Sequence, residues 1–213
     1  MLRTGPLHAA RAAMSPRPYQ LGRRQEASDE TRDKVLAAAR ELLMAPDGYG
    51  RFTIDAVARQ AGVARMTVYY RFQSKAGLLE ALCDTLALQG GIGRIAEAFQ
   101  LPEPEAALNK FLAVLGQLYG TDRLLMRRLN GIAALDPEFA PLLAERNERR
   151  RGGLRVLAQR LRPQRPREWI DAKVDQLHAL TAFGVYDGLA GMSEPESVAP
   201  LLARLAGAVL DAD

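Results

Sequence analysis

The chain is 213 residues long with a net charge of +4, enough length to bury a substantial core as one large domain or a small domain fused to a larger one. A single cysteine, Cys83, excludes an intrachain disulfide and suits a reducing, cytoplasmic setting, and two histidines, His8 and His178, leave almost no material for a metal site or a metal cofactor. No stretch approaches the roughly 18–20 consecutive apolar residues that cross a bilayer, and residues 1–28 lack the apolar core of a secretory signal.

Residues 1–28, with Pro6, Pro16, Pro18 and Gly22, read as a flexible basic arm, either disordered or tracking a minor groove. They carry five arginines against Glu26, whereas residues 29–82 are nearly balanced. The positive excess therefore sits at the N-terminal end, where a polyanion would bind. A first helix is predicted over 29–45, because Val35, Leu36, Ala39, Leu42 and Leu43 fall on one helical face. Pro46-Asp-Gly-Tyr-Gly50 ends it. Thr53 is a good N-cap for a short helix to Gln60, with Phe52 and Val57 placed for a hydrophobic staple. Ala61-Gly62-Val63 breaks the chain, a second short helix covers 64–71, and another opens at Ser74 and runs to Leu88. Gln89-Gly-Gly-Ile-Gly93 reads as a hinge, since it follows a helix and lacks the Gly-Lys-Ser/Thr ending of a phosphate loop. Longer helices are predicted near 103–119, 121–131, 137–161, 167–190 and 196–211. Asp136-Pro137 resembles an N-cap followed by proline at the first helical position.

Two short helices joined by a glycine-containing turn make a helix-turn-helix over Thr53–Phe72. Ala58 and Ala61 are small where the helices cross, and Val57, Val63 and Val68 form the inner face. Arg65, Met66, Thr67, Tyr69, Tyr70 and Arg71 remain for the rest of the second helix. Phe-Thr before the first helix, Ala61-Gly62-Val63, Thr67-Val68-Tyr69-Tyr70-Arg71-Phe72, and Ser74-Lys75 with Leu78-Leu79 resemble the DNA-binding domain of the TetR (tetracycline-repressor-like) family over residues 29–83.

The resemblance implies an all-α protein, with an N-terminal three-helix helix-turn-helix DNA-binding domain (29–83) followed by a larger helical ligand-binding and dimerisation domain (84–213). Thr53 would cap its helix and donate to a phosphate. Arg65, Met66 and Thr67 would face the major groove, Arg65 reaching a guanine. Tyr69 and Tyr70 would set the helix against backbone and base edges, or serve only in packing. Lys75 would contact a phosphate. Ala64 stands where the family commonly has serine, removing an N-cap worth about 0.5–2 kcal/mol. Met66 replaces a small or polar residue and suits a thymine methyl.

In the body, the helices near 167–190 and 196–211 are apolar on more than one side, which with the resemblance implies a homodimer through them. Phe111, Leu115, Tyr119, Met126, His178, Phe183 and Tyr186 are candidate lining residues for a small-molecule effector, although His178 also reads as an interior histidine. Arg149-Arg150-Arg151 reads as a solvated face. The implied function is a repressor released from a palindromic, double-stranded DNA operator by that effector. The alternatives are a ligand-independent or activating regulator and an all-helical enzyme. The enzyme lacks a nucleophile–base pair: one cysteine, two distant histidines and no paired carboxylates.

Overall fold

The structure is a computed structural model that describes residues 17–192 and 195–212, and among these every regular element is helical. Five helices form the N-terminal part: α1 (Arg17–Met44), α2 (Gly48–Arg51), α3 (Ile54–Ala61), α4 (Arg65–Phe72) and α5 (Lys75–Gln89). A 3-10 turn over Ile92–Arg94 leads into α6 (Ile95–Gln100). The body continues with α7 (Pro104–Thr121), α8 (Arg123–Ala133), α9 (Ala140–Leu161), α10 (Arg167–Leu180), α11 (Phe183–Ala190) and α12 (Pro195–Asp211).

Of the arm expected over 1–28, residues 1–16 lie outside the described residues. Residues 17–28 are helical and carry α1 upstream of the expected start at Asp29. Pro18 falls in the first turn, where a missing N–H costs nothing, and Thr31 Oγ1 bonds back to the Ala27 carbonyl at 2.7 Å. The short helices begin where their caps stand. Thr53 Oγ1 accepts the Ala56 N–H at 3.1 Å, and Ser74 Oγ accepts that of Gly77 at 3.0 Å. Each such cap is worth about 1 kcal/mol. Phe52 and Val57, the expected staple, are both buried.

Two features of the body depart from the sequence reading. The short α6 occupies part of the segment expected to be only a connection. The helix expected over 167–190 is divided, because Ala182 is extended (φ −66°, ψ 148°) and starts α11 anew. A break leaves helix carbonyls without their usual N–H partners. Here Arg150 Nη1 donates to the His178 carbonyl at 2.9 Å, and Tyr119 Oη donates to that of Thr181 at 3.2 Å. The donors come from α9 and α7, so nothing local in the sequence announces the break. Asp136 caps as expected, accepting from Glu138 and Phe139 N–H at 3.0 and 3.1 Å, although the α-helix proper starts only at Ala140.

Two hydrophobic cores result. The first joins Val35, Leu43, Phe52, Val57, Val68, Leu78 and Leu82 from α1–α5, and is closed by Leu125, Leu129 and Ile132 of α8 with Phe139. The second gathers Phe111, Leu154, Leu157, Val174, Leu177, Tyr186, Val198 and Leu202 from α7 and α9–α12. Thus α8 belongs by sequence to the body and by packing to the N-terminal core.

Candidate nucleic-acid interface and interior cavity

The N-terminal surface is organised by the turn between α3 and α4. Gly62 adopts φ +66°, the left-handed region that favours glycine, and its N–H closes α3 on the Arg59 carbonyl. Val68 and Phe72 bury one face of α4 against the core, which turns the remaining face outward. Arg65, Met66, Tyr69 and Tyr70 are exposed, Tyr70 at 79%, and Thr67 is half-buried. Large hydrophobic side chains left in water on a short helix are costly unless something covers them. Arg65 reaches Asp55 of α3 at 3.3 Å, an exposed pair that another anion can displace. Ala64 is the N-cap of α4 and supplies no side-chain cap, so the leading N–H groups of this helix are free of side-chain acceptors.

Lys75 is less free than the sequence suggests. Its ammonium lies 3.4 Å from Asp136 and 4.3 Å from the centre of the Tyr49 ring, and its side chain is 30% exposed. Tyr49 Oη also reaches Asp136, at 3.4 Å. Burial works against ionisation of Asp136, but the Phe139 and Glu138 N–H groups and Lys75 outweigh it and hold the carboxyl below its ordinary value.

The body encloses a cavity of about 480 Å³, within the range of small-molecule sites. Phe111, Leu115, Tyr119, Met126 and Phe183 line it, together with Phe99 of α6. Two other candidates from the sequence stand behind the wall. Tyr186 packs against Tyr119 with ring centres 5.5 Å apart, and His178 lends its carbonyl to Arg150. Burial, then the nearby Arg150 charge, lowers the His178 pKa below its ordinary value. Cys83 also faces the cavity, and burial pushes its thiol up to about 12.

The cavity's amide and guanidinium groups come from α8 and α9: Asn130, Arg146, Asn147, Arg149 and Arg150. Arg146 pairs with Asp84 at 2.7 Å and Glu80 at 3.6 Å on α5, and Arg149 with Glu145 at 2.8 Å. Arg150 differs: it is only 8% exposed and, among the described residues, bonds neutral acceptors alone, at the His178 carbonyl, Thr181 Oγ1 (2.5 Å) and Asn147 Oδ1 (3.4 Å). Its Nε is buried without a partner, and burial pulls the guanidinium below its ordinary pKa. The expected solvated face over Arg149–Arg151 therefore fails at its middle residue. Leu143, Arg146, Arg150, Leu154 and Leu157 recur at helical spacing, and this period places Arg150 on the inner face.

A family model for bacterial regulatory proteins of the tetR family matches residues 35–82. The probable HTH-type transcriptional regulator ArpR of Pseudomonas putida is 30% identical over 189 residues, spanning 83% of this chain and 87% of ArpR. The chain belongs to the TetR family. The HTH-type transcriptional regulator TtgR, also of Pseudomonas putida, is 31% identical over 134 residues, a match spanning 62% of TtgR and of this chain. Among solved structures, NalD of Pseudomonas aeruginosa, described as the secondary repressor of the MexAB-OprM multidrug efflux pump, shares the fold. Its TM-score is 0.65 at 23% identity, covering 86% of this chain and 97% of NalD. As a TetR-family member the protein is a DNA-binding transcriptional regulator, with an N-terminal helix-turn-helix and a larger helical C-terminal part. No helix of the described residues is long and apolar enough to cross a membrane.

Proposed function

We propose that this TetR-family protein is a cytoplasmic, homodimeric repressor that leaves a palindromic operator when a small molecule fills the cavity. Residues 29–83 act as the DNA-binding unit and residues 84–213 as the effector-binding and dimerisation unit. One observation carries the coupling: α8 lines the cavity and is tied at both ends to the DNA-binding helices. Met126, Leu129 and Asn130 face the cavity. Asp122, the N-cap of α8, pairs with Arg40 of α1 at 2.6 Å, and Asp136 just beyond its C-terminus pairs with Lys75 at the start of α5. On the other flank Arg146 links α9 to α5 through Asp84 and Glu80. An occupant that fits a shifted α8 better than the present one moves α1 and α5 together, and so displaces the population from the DNA-fitting state.

At the DNA, Thr53 keeps its hydroxyl proton for a phosphate while its oxygen serves the cap. Arg65, Met66 and Thr67 read base edges, with Tyr69 and Tyr70 on backbone and bases. Lys75 exchanges Asp136 for a phosphate. The second copy would meet the helices over 167–190 and 196–211, where Val185 of α11 and Leu205 of α12 are exposed apolar side chains with Gly184, Gly188 and Ala208 exposed near them in sequence. The repression of an efflux pump stated for NalD supports repression as the direction of control. Fluorescence anisotropy of an operator duplex tests the reading: ligands that raise the thermal midpoint should release the DNA. A ligand at ~100 times its Kd should stabilise the protein by about 2.7 kcal/mol. Cavity ligands that leave operator affinity unchanged would overturn it.

A further inference from the structure

Resting on the effector reading above, we infer that the cavity takes an apolar organic acid, whose carboxylate pairs with Arg150 while its aliphatic or aromatic body lies among Phe99, Phe111, Leu115 and Phe183. A guanidinium sheltered from water is costly without a counter-ion, and Arg150 pairs with no carboxylate among the described residues. The carbonyl end of α10 offsets part of its charge through the helix dipole, but a full negative charge is lacking. The other two cavity arginines are already neutralised, Arg146 by Asp84 and Glu80 and Arg149 by Glu145. Arg150 is therefore the cavity arginine that faces no carboxylate among the described residues, which selects an anion at that point and disfavours an amine.

The donor geometry narrows the class further. Both hydrogens of Nη1 are used, on the His178 carbonyl and Thr181 Oγ1. Nη2 has one long contact, 3.4 Å to Asn147, and Nε has none. Nη2 therefore keeps donor capacity for a carboxylate oxygen, and Nε, which protein atoms now cover, completes the side-on edge for the second oxygen once the wall over it shifts. The Nη1 bonds hold the fork in place at the α10–α11 break, so little ordering is left to be done on binding. The rest of the wall is predominantly aliphatic and aromatic, so a small hydrophilic anion such as acetate leaves most of it uncovered.

Calorimetric titration with matched compounds tests this: the straight-chain acids from hexanoate to dodecanoate, phenylalkanoates and naphthoate, each against its primary amide and its amine. On the unaltered protein the acid should bind ~10–100-fold more tightly than the amide of the same body, the range expected for a charged hydrogen-bonded contact. Arg150→Gln should bring that ratio to about one, chiefly by weakening the acid. Arg150→Lys, which keeps the charge and loses the fork, should fall between. The acid-to-amide ratio on the unaltered protein needs no variant, so a variant that fails to fold does not spoil the test. Amides or amines binding as tightly as acids at every size, with release of operator DNA, would overturn the organic-acid assignment and leave the effector reading standing. Binding by no member of any series would overturn the effector reading itself, and the assignment with it.

Discussion

Tyr70 separates stability from function more cleanly than any other side chain of α4, because 79% exposure leaves it little packing to lose. Tyr70→Ala should change the unfolding free energy by no more than about 0.5 kcal/mol, while weakening operator binding at least ~10-fold if the ring meets the DNA backbone. A melting curve and a binding isotherm on the same preparation check both halves. Arg65→Ala should relax base preference at one position of each half-site, at about 1–3 kcal/mol of discrimination. An unchanged preference in a binding-site selection would count against direct readout by Arg65. Cys83 makes a control for burial. With burial raising its pKa to about 12, it should react with thiol reagents at neutral pH much more slowly in the folded protein than in the unfolded one. At this scale the sequence revealed the outward face of α4, because Val68 and Phe72 mark its inner face and the remaining residues follow by period. It hid Arg150, whose two neighbours are solvated and whose burial shows only when the inner-face spacing of α9 is followed through a polar stretch.

The link between cavity and DNA depends on α8 and the acids at its two ends. Asp136→Asn removes the charge that holds Lys75 and should leave ligand binding intact while raising the ligand concentration needed for DNA release. Parallel titrations by calorimetry and anisotropy distinguish the two effects. The same carboxylate sets a pH dependence. Its folded pKa lies below its ordinary value, as does that of Asp187, held down by Arg127 with Arg123 also paired to it and burial opposing them. Both groups therefore contribute stability above the unfolded carboxyl pKa of about 4, and that contribution is lost as pH falls through the folded values. Thermal midpoints should drop on acidification below about pH 4, less steeply in Asp136→Asn. Between α4 and α5, Gln73 adopts φ +63° in a three-residue turn closed by a 2.7 Å bond from Ser74 N–H to the Phe72 carbonyl. Gln73→Gly should raise stability by about 1 kcal/mol, the strain relieved less the entropy of glycine. Helix ends were legible wherever a capping side chain stood, as at Thr53 and Ser74. The α10–α11 break was not, since Arg150 and Tyr119 satisfy its carbonyls from distant helices.

For the whole molecule, the two cores interlock through α8, so the division near residue 83 visible in composition is not a division in packing. The all-helical class was legible in helical periodicity, and the DNA-binding unit in one short motif. The cavity's polar wall was not, because it assembles from α8 and α9 only in three dimensions. Leu205→Glu should place a charge on the apolar face of α12, shift the protein to monomer in sedimentation, and weaken operator binding by removing the second half-site. Whether the exposed face of α4 reads DNA as half of a two-fold dimer is tested most directly by a nuclease footprint on an operator selected from random-sequence duplexes. A short protected inverted repeat is expected, with half-site centres one helical turn or a whole multiple of it apart, and Arg65→Ala should blur it. Sequence-independent coverage of the duplex, unaltered by Arg65→Ala and Tyr70→Ala, would contradict that reading.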